Sequence, residues 1–371
     1  MKKVLFLIHD LGPGGAEKVL VNLVNNLDRE QFDITLLSIF DVGVNKKNLL
    51  PHIHYRYCFR KMFRGNSHIM KLLSPKQLHR LLIKDSYDIE VAYLEGPCAR
   101  IVSGCENPNT KLFSWIHIEQ HTAQRAAISF RNIREAEECY NSFDRINCVS
   151  ESVMDDFKHC LNIRVPIGVI YNTNESEKIK QLGCEAVQEI DFSGKIITMV
   201  GVGKLLKSKG FDRLIGIVAQ LKSEGYLVRL LILGVGEEQL NLQKMITEKR
   251  LDDDVLLLGY QTNPYKFVAK SDLFVCASFR EGFSTAATEA LILGVPVCTV
   301  DVAGMKEMLG SNNEYGVVVP NDDDHLYKAI LELINDKHKL AHYRDMAKQR
   351  GQDFSMEKTV NRVHEVLQGE S

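Results

Sequence analysis

Two glutamates, Glu281 and Glu289, stand eight positions apart in the stretch SFREGFSTAATEALILGVPV, residues 278–297. Between them, residues 284–288 are all small: Ser, Thr, Ala, Ala and Thr. Three interpretations fit such a pattern. The glutamates could be a pair of catalytic carboxylates, they could belong to a site for a sugar nucleotide, or they could be two solvated acids around an ordinary helix start.

The local sequence predicts where each glutamate lies. The apolar run before Glu281 predicts a strand, and FREGF predicts a loop. A helix should begin near Ser284 or Thr285, both good N-caps, and end near Gly294. Small residues in the first turn leave its N–H groups open to a phosphate, which the helix dipole also favours. Glu281 then lies on the loop. Glu289 lies on the helix, where its carboxylate suits the two hydroxyls of a ribose.

A second candidate loop carries three lysines. Residues 200–221, VGVGKLLKSKGFDRLIGIVAQL, place Lys204, Lys207 and Lys209 between a predicted strand and a predicted helix. Clustered lysines where a strand ends suit a pyrophosphate, although a solvated basic loop has the same appearance. The sequence G-x-x-x-x-G-K-[ST] does not occur here, which excludes a Walker A loop.

A third candidate loop is rich in glycine. In HDLGPGGAEKVLVNLV, residues 9–24, a strand ends, Gly12, Gly14 and Gly15 turn the chain, and a helix begins near Ala16. Glycines let the backbone approach a ligand, and a helix N-terminus offers free N–H groups to an anion. The motif is not G-x-G-x-x-G, so a dinucleotide is not implied. A plain strand–helix turn is the alternative.

The elements that position these loops follow a repeating pattern. Short apolar runs alternate with helical segments, as expected for parallel sheets covered on both faces. The pattern lapses in the polar segment after Asn172, which we interpret as a linker, and then restarts. The runs lie at 4–8, 32–40, 89–94, 111–117, 145–150 and 167–172, and at 196–202, 228–234, 254–260, 272–278, 295–300 and 315–320.

We therefore predict an α/β protein with two tandem doubly wound, Rossmann-like parallel-sheet domains and a cleft between them. Residues 1–173 form the first domain and residues 174–355 the second, and residues 356–371 form a helix that packs back toward the first. In such sheets ligands bind outside the carboxyl ends of the strands. At 371 residues, two domains are also the default expectation from length.

Composition narrows the partners and the compartment. A net charge of −2 argues against nucleic acid, because binding phosphate backbones needs a basic surplus. The nine cysteines are scattered, without C-x-x-C, as in a reducing compartment. No segment resembles a signal peptide or a membrane span, so we expect a cytoplasmic protein. The acidic runs 252–254 and 322–324 are interpreted as solvated loops, and no metal is expected.

One segment suggests a membrane surface. Residues 56–84 contain eight Lys or Arg and no Asp or Glu, with aromatic and aliphatic residues between them. Such a segment suits anionic lipid, which would place the protein at the inner face of the cell membrane. A solvated basic face on a core helix is the alternative.

These motifs together resemble the family 4 retaining glycosyltransferases of the GT-B architecture, over nearly the whole chain. Glu281 and Glu289 match the family's E-x7-E pair, and GVGKLLKSKGFDRLI matches its G-R-L-x-x-x-K-G-x-x-x-L-I segment. HDLGPGGAE is similar to its N-terminal glycine loop. The words LGVGEE, LLLGYQ and VIYNTNE also fall where the family has similar ones.

The resemblance implies a role for each residue. Lys204, which stands where the family more often has arginine, and Lys209 would hold the donor's pyrophosphate, Glu289 the ribose, and Glu281 the transferred sugar. His117, in WIHIEQH, would lie beside the reacting carbon. The implied catalytic residues are His117, Glu281, Lys204 and Lys209, and the implied donor-binding residues are Gly14, Gly15, Lys204, Lys209, Tyr260, Glu281, Gly282, Phe283, Ser284, Thr285 and Glu289.

The implied reaction is retaining transfer of a sugar from a nucleoside-diphosphate sugar, most commonly a UDP-sugar, to a hydroxyl of a glycan or lipid-linked glycan in bacterial polysaccharide synthesis. The acceptor would attack on the face that the phosphate leaves, and no metal or other cofactor is implied. A hydrolase would flank the bond with two carboxylates, a role that does not fit Glu289 on the ribose side. A sugar-nucleotide 2-epimerase and a non-catalytic sugar-binding protein remain alternatives.

Overall fold

The apolar runs form parallel strands in two separate sheets. The structure is a computed structural model, and it describes residues 1–62, 70–192 and 196–369. The chain divides into two units: the first comprises Met1–Asn174 with Glu357–Ser371, and the second comprises Glu175–Met356. Each change from one unit to the other comes one residue later than the boundary that the sequence suggested.

The first unit contains a sheet of seven strands in the order β3-β2-β1-β4-β5-β6-β7, and each neighbouring pair is parallel. Its interior strand β1 is fully buried from Val4 to Ile8, so apolar residues cover both of its faces. The elements are β1 (Lys2–Ile8), α1 (Gly15–Asn26), β2 (Phe32–Phe40), β3 (His54–Phe59), α2 (Pro75–Leu82), β4 (Ile89–Ala92), α3 (Pro97–Val102), β5 (Lys111–Ile116), α4 (Ala123–Ala126), α5 (Ile133–Tyr140), β6 (Arg145–Cys148), α6 (Glu151–Cys160) and β7 (Ile167–Val169).

The second unit contains a parallel sheet of six strands in the order β10-β9-β8-β11-β12-β13. A 3₁₀ turn at Lys207–Lys209 precedes its helix α8. The elements are α7 (Ser176–Gly183), β8 (Ile197–Val202), α8 (Phe211–Ser223), β9 (Val228–Leu233), α9 (Gln239–Glu248), β10 (Val255–Gly259), α10 (Tyr265–Lys270), β11 (Leu273–Cys276), α11 (Thr285–Ile292), β12 (Val297–Val300), α12 (Met305–Leu309), β13 (Val317–Val319), α13 (Asp323–Asn335) and α14 (Lys337–Gly351).

Both sheets are doubly wound, which confirms the predicted fold class. In each sheet the strand order reverses beside the first strand: between β1 and β4 in the first unit, and between β8 and β11 in the second. The loops that follow such strands diverge and leave a crevice at the carboxyl edge. The glycine loop follows β1, the lysine loop follows β8, and the Glu281 loop follows β11. The topology therefore brings the candidate loops to the two switch points.

The last helix, α15 (Met356–Gln368), completes the first unit. Its residues Val363, Val366 and Leu367 are buried in the same hydrophobic cluster as the strands β1 and β2. The ammonium group of Lys2 donates a hydrogen bond to the carbonyl of Leu367, with a length of 3.2 Å. The two ends of the chain are thus joined within one unit.

One local expectation needs correction. The segment after Asn172, interpreted as a linker, contains the helix α7, whose Ile179 is 2% exposed in the second unit. The basic run 56–84 begins in the edge strand β3, and its contact with a membrane stays a prediction. Residues 63–69 of that run lie outside the described residues. Among the described residues, no helix combines the length and apolar character needed to cross a bilayer.

Candidate active site

The glutamate pair lies on the loop and helix that the sequence predicted. Ser284 is the N-cap of α11, and its hydroxyl accepts a hydrogen bond from the backbone N–H of Ala287 at 3.3 Å. Glu281 lies on the preceding loop, and its side chain is 10% exposed. Glu289 lies on α11 and is 6% exposed. Carboxylates this buried need polar partners, which the next contacts supply.

A cluster of three side chains forms around Glu281. The ammonium group of Lys209 lies 2.7 Å from Oε1 of Glu281, and the hydroxyl of Ser278 donates to the same oxygen, also at 2.7 Å. Burial lowers the pKa of Lys209, but the charge of Glu281 and the hydrogen bond to it outweigh burial, so that the pKa is raised overall. Lys209 is therefore a firmly protonated cation at the N-terminal side of α11.

Backbone contacts hold the lysine loop against the Glu281 loop. The N–H of Phe279 donates to the carbonyl of Ser208 at 2.8 Å. Gly210 follows with φ of +65°, and a Cβ there would lie 2.1 Å from the carbonyl oxygen of Ala277. Only glycine fits this combination of left-handed backbone and close approach. The two switch-point loops of the second sheet are thus fixed to each other.

The three lysines of the loop have different surroundings. Lys209 reaches Glu281, whereas Lys207 is mostly exposed and forms an ion pair with Asp212. Lys204 is exposed at the end of β8. The structure therefore separates Lys207, which lies in a surface ion pair, from Lys209, which lies in the glutamate cluster.

Glu289 has a buried tyrosine beside it. The hydroxyl of Tyr265, a residue that is 6% exposed, donates to Oε1 of Glu289 at 3.2 Å. Sequence reasoning identified neither Tyr265 nor Ser278. Ser278 had a usable signal, because it lies three positions before Glu281 on the same loop. Tyr265 had none, since it lies on another helix, α10, and looks like a core aromatic residue.

The remaining residues that were predicted to bind the donor lie on the Glu281 loop, at the start of α11 and after β10. Phe283 is buried, and its ring centroid is 5.6 Å from that of Phe354. A Cβ on Gly304 would lie 2.5 Å from the carbonyl oxygen of Gly282, so this turn is closely packed. Thr285 is the first residue of α11. Tyr260, which follows β10, is 48% exposed and thus open to a stacking partner.

In the first unit, His117 follows β5 and is buried with one free ring nitrogen. Its residue exposure is 7%, and its Nε2 has no hydrogen-bond partner in the described part of the chain. Burial lowers the pKa of His117 to about 4, although a hydrogen bond to the backbone of Tyr93 acts in the opposite direction. The imidazole is therefore neutral at physiological pH.

Glu95 is a partly buried group that sequence reasoning missed. It follows β4, the strand next to β5, and its Oε2 accepts a hydrogen bond from the backbone N–H of His117 at 3.0 Å. Burial raises the pKa of the Glu95 carboxyl, and hydrogen bonds from backbone N–H groups lower it by less. A carboxylate directly after the apolar run 89–94 was the available signal.

The glycine loop forms the start of α1. Gly14 is the N-cap and Gly15 the first helical residue. A Cβ on Gly14 would lie 1.9 Å from a carboxylate oxygen of Glu17, so the side chain of Glu17 folds back over this turn. Gly12 donates its N–H to Oδ1 of Asp10 at 2.7 Å. These contacts define the loop without any large side chain at its tip.

The two acidic runs are engaged in local contacts. Asp254 pairs with Lys222 at 2.8 Å. Asp322 caps α13 by accepting from the N–H of His325 at 2.9 Å. These are the contacts of ordinary surface acids.

Comparison with solved structures defines the class of protein. The fold matches that of HepE from Anabaena, solved with UDP and glucose, with a TM-score of 0.80, 21% identity, and coverage of 99% of this chain and 100% of that one. It also matches TarM from S. aureus, solved as a mutant with UDP and other ligands, with a TM-score of 0.77, 16% identity and 99% coverage of both chains. This is the two-domain GT-B fold.

Two family models cover the two halves of the sequence. The model for glycosyltransferase family 4 matches residues 13–174, and the model for glycosyl transferases group 1 matches residues 185–350. The chain belongs to the family 4 glycosyltransferases, and it is an enzyme of that kind.

Sequence relatives extend over the whole chain. The N-acetylgalactosamine-N,N'-diacetylbacillosaminyl-diphospho-undecaprenol 4-alpha-N-acetylgalactosaminyltransferase of Campylobacter jejuni is 28% identical and covers all of both chains. The capsular polysaccharide biosynthesis glycosyltransferase CapM of Staphylococcus aureus is 33% identical over 37% of this chain and 36% of its own length. Both relatives are bacterial glycosyltransferases by name.

Proposed function

We propose that this glycosyltransferase transfers a sugar from a UDP-sugar to a hydroxyl of a lipid-linked glycan, with retention of the anomeric configuration. One observation carries the donor half of the proposal. A protonated lysine, Lys209, and two buried glutamates surround the N-terminal part of a helix at the switch point of the second sheet. Cation, free backbone N–H groups and carboxylates are the groups that a sugar diphosphate requires.

Each part of the donor has a matching group in this arrangement. The backbone from Phe283 to Thr285, which leads into α11, and the ammonium groups of Lys204 and Lys209 would bind the pyrophosphate. Glu289, held by Tyr265, would accept hydrogen bonds from the ribose hydroxyls. Glu281 would accept them from the transferred sugar. Tyr260, half-exposed after β10, would flank the base.

The proposed chemistry relies on stabilising the leaving group. The acceptor hydroxyl would attack on the face that the phosphate leaves, and the departing phosphate would take its proton. Preorganised donors aimed at developing charge are the largest contribution that such a site can make. Lys209 and the N-terminus of α11 supply them here. This accounts for the pyrophosphate charge without a metal ion.

His117 would position a substrate hydroxyl. The neutral ring is hydrogen-bonded to the backbone of Tyr93 through its other nitrogen, which assigns the proton to Nδ1 and leaves Nε2 as an acceptor. A buried acceptor without a partner costs free energy that a bound hydroxyl would restore. Gly14 and Gly15 would allow substrate to approach the backbone at the start of α1.

The acceptor class rests on one relative and on the basic run. The Campylobacter jejuni relative is named for a diphospho-undecaprenol acceptor, and the basic run 56–84 offers cations for an anionic lipid surface. Some of these cations are already paired, since Arg56 contacts Asp85 and Arg80 contacts Glu106. We expect co-sedimentation with phosphatidylglycerol vesicles and not with phosphatidylcholine vesicles. A protein that remains in the supernatant with both would contradict membrane contact.

A thermal-shift screen tests the donor site. We expect UDP or a UDP-sugar to raise the Tm, because a ligand that binds the native state must stabilise it. The shift should persist in EDTA and disappear in Glu289→Ala. A shift that needs Mg²⁺ or Mn²⁺ would overturn metal independence. No shift with UDP, dTDP, GDP or ADP and their sugars would overturn the donor site.

The stereochemistry and the acceptor need a separate measurement. With a UDP-sugar and a synthetic polyprenyl-diphosphate sugar, NMR of the product should show an α-linkage from an α-linked donor. A β-linkage would contradict retention while leaving the donor site intact. Donor alone should give neither an epimer nor rapid hydrolysis, and formation of an epimer would identify an epimerase instead.

A further inference from the structure

Three side chains that the transfer reaction does not use lie together at the other edge of the first sheet. Glu90 is the second residue of β4, near its amino end, whereas His117 follows the carboxyl end of the neighbouring strand. His79 projects from α2, and Cys105 follows α3. One ligand atom from each of His79, Glu90 and Cys105 lies within 4.8 Å of the others.

The carboxylate at the centre of this cluster is buried. Glu90 is 2% exposed, and its Oε2 lies 2.8 Å from Nε2 of His79, whose side chain is 13% exposed. A buried carboxylate is costly unless a cation or several hydrogen bonds compensate it. The nearby cations Arg80 and Lys76 both pair with Glu106 instead. Glu90 thus faces a histidine and a thiol.

The thiol of Cys105 lies close to this pair. Cys105 is half-buried, and its sulfur lies within 4.8 Å of the ligand atoms of His79 and Glu90. A cysteine binds a metal ion as the thiolate, so the ion replaces the proton of the thiol.

We propose that His79, Glu90 and Cys105 bind a divalent metal ion of the zinc class. One imidazole nitrogen, one carboxylate oxygen and one thiolate form a donor set typical of Zn²⁺ in proteins, and metal binding would release the thiol proton. With bonds of about 2.0–2.2 Å in tetrahedral geometry, nitrogen and oxygen lie about 3.3 Å apart, so the His79–Glu90 pair would open by roughly half an ångström. That is a small side-chain adjustment.

The fourth coordination position has room for an exogenous ligand. The same three residues border a cavity of about 250 Å³, whose wall also includes Ser86, Asn107 and Thr110. A three-residue site with an open fourth position binds water or a small anion there. The metal would join α2, β4 and the segment after α3. It would act apart from the sugar-transfer residues, because those lie at the carboxyl edges of the sheets.

Cobalt titration of the full-length protein tests the site directly. Co²⁺ added to reduced, metal-free protein should give intense visible bands of a tetrahedral centre and a thiolate-to-metal charge-transfer band, saturating at one equivalent. Cys105→Ser should lose the charge-transfer band. Cys184→Ser, at an exposed cysteine in the second unit, is the matched control and should keep it. Absence of the band in the wild-type protein, or its persistence in Cys105→Ser, would overturn the proposal.

Zinc stabilisation provides a second readout that does not depend on a spectrum. One equivalent of Zn²⁺ should raise the Tm of wild type and of Cys184→Ser, and raise that of Cys105→Ser much less. Cys105→Ser retains the His79–Glu90 pair, so it should fold without metal. An equal rise in all three proteins would mean adventitious binding elsewhere and would overturn the site. Mg²⁺ should have no effect, since thiolate sites disfavour it.

Discussion

Buried polar groups lie at the carboxyl edges of both sheets, but they are stabilised in different ways. In the second unit the polar groups satisfy one another, because Lys209 and Ser278 bind Glu281 and Tyr265 binds Glu289. In the first unit His117 is buried with Nε2 unpartnered in the described part of the chain. The groups that we propose to bind the donor are thus held by an ion pair and hydrogen bonds to one another, whereas the histidine is held by burial. The charge of the ligand should have the larger effect at the carboxyl edge of the second sheet. The protonation of His117 should have the larger effect at the carboxyl edge of the first.

Removing Lys209, the cation at the carboxyl edge of the second sheet, should have the largest effect on activity. Lys209→Ala leaves the largely buried Glu281 without its ion-pair partner and removes a proposed donor to the leaving phosphate. We expect kcat to fall on the order of 10²–10³-fold, as for loss of a preorganised charge-stabilising group. Steady-state assays with a UDP-sugar measure it.

The same loop offers the control for that prediction. Lys207→Ala removes a mostly exposed lysine whose partner, Asp212, lies in the first turn of α8. Exposed ion pairs contribute about 0–1 kcal/mol, so activity should change by no more than a few-fold. Equal losses in the two variants would contradict the separation between Lys207 and Lys209.

The fit between the two loops of the second unit should be sensitive to one methyl group. Gly210→Ala adds a Cβ at 2.1 Å from the carbonyl oxygen of Ala277, at a residue with φ of +65°. We expect a loss in free energy of unfolding on the order of 2–4 kcal/mol, since a left-handed alanine alone costs about 1–2 kcal/mol. Urea unfolding measures it.

Gly225→Ala separates backbone strain from the clash. Gly225 has φ of +89° but nothing within 4 Å of its Cβ position. Gly225→Ala should lower the free energy of unfolding only by the backbone strain, which is about 1–2 kcal/mol. A loss as large as that of Gly210→Ala would show that loop contact contributes little.

Acid should destabilise the first unit, because it contains the buried and neutral His117. His117 has a pKa of about 4 in the folded protein, against an ordinary value of 6.5. Between these values the unfolded chain binds a proton that the folded chain does not, so the free energy of unfolding falls as pH decreases. The expected loss is about 2 kcal/mol at pH 5 relative to pH 7.5.

His117→Gln isolates this contribution, because glutamine does not titrate. Urea unfolding of both proteins at pH 7.5 and pH 5 should show a smaller pH dependence in the variant. Identical pH dependence would mean that the folded protein accommodates the charged imidazole. The enzymatic rate of the wild-type protein should also show no titration of His117 between pH 5 and pH 8.

The smallest effect is expected at the partner of Glu289. Tyr265→Phe removes one hydroxyl and keeps the ring, so the free energy of one hydrogen bond, about 0.5–1.5 kcal/mol, is at stake. Affinity for UDP should fall about two- to tenfold, as measured by calorimetry, with little change in Tm. No change in affinity would mean that Tyr265 does not hold Glu289 for the ligand.

The sequence predicted the features that depend on local pattern. Fully apolar runs identified the buried strands, and Ser284 with its small neighbours identified the start of α11 within one residue. Strand β3 was missed because no residue of HYRYCF is buried at the sheet edge and the segment alternates too little. Helix α7 was missed because its polar face dominates the composition and only Ser176, Ile179 and Gly183 are buried.

Contacts between distant elements could not be predicted in this way. Glu289 and Tyr265 lie 24 positions apart on different helices, and a buried tyrosine hydroxyl leaves no sequence signal. Lys207 and Lys209 look equivalent in the sequence, and only the folded structure shows that Lys207 pairs with Asp212 and Lys209 with Glu281. Periodicity identifies elements, but the partners of a side chain depend on how the strands are ordered.

The helix α15 has a consequence for synthesis. The first unit includes residues 357–371, so a nascent chain that has released residue 174 still lacks the piece that covers β1 and β2. At about 5–20 residues per second, that piece follows roughly ten seconds or more later. The second unit can fold on the ribosome while the first waits with Val363, Val366 and Leu367 still missing from its core. Synthesis of α15, rather than emergence of residues 1–174, is therefore the event that completes the first unit of this enzyme.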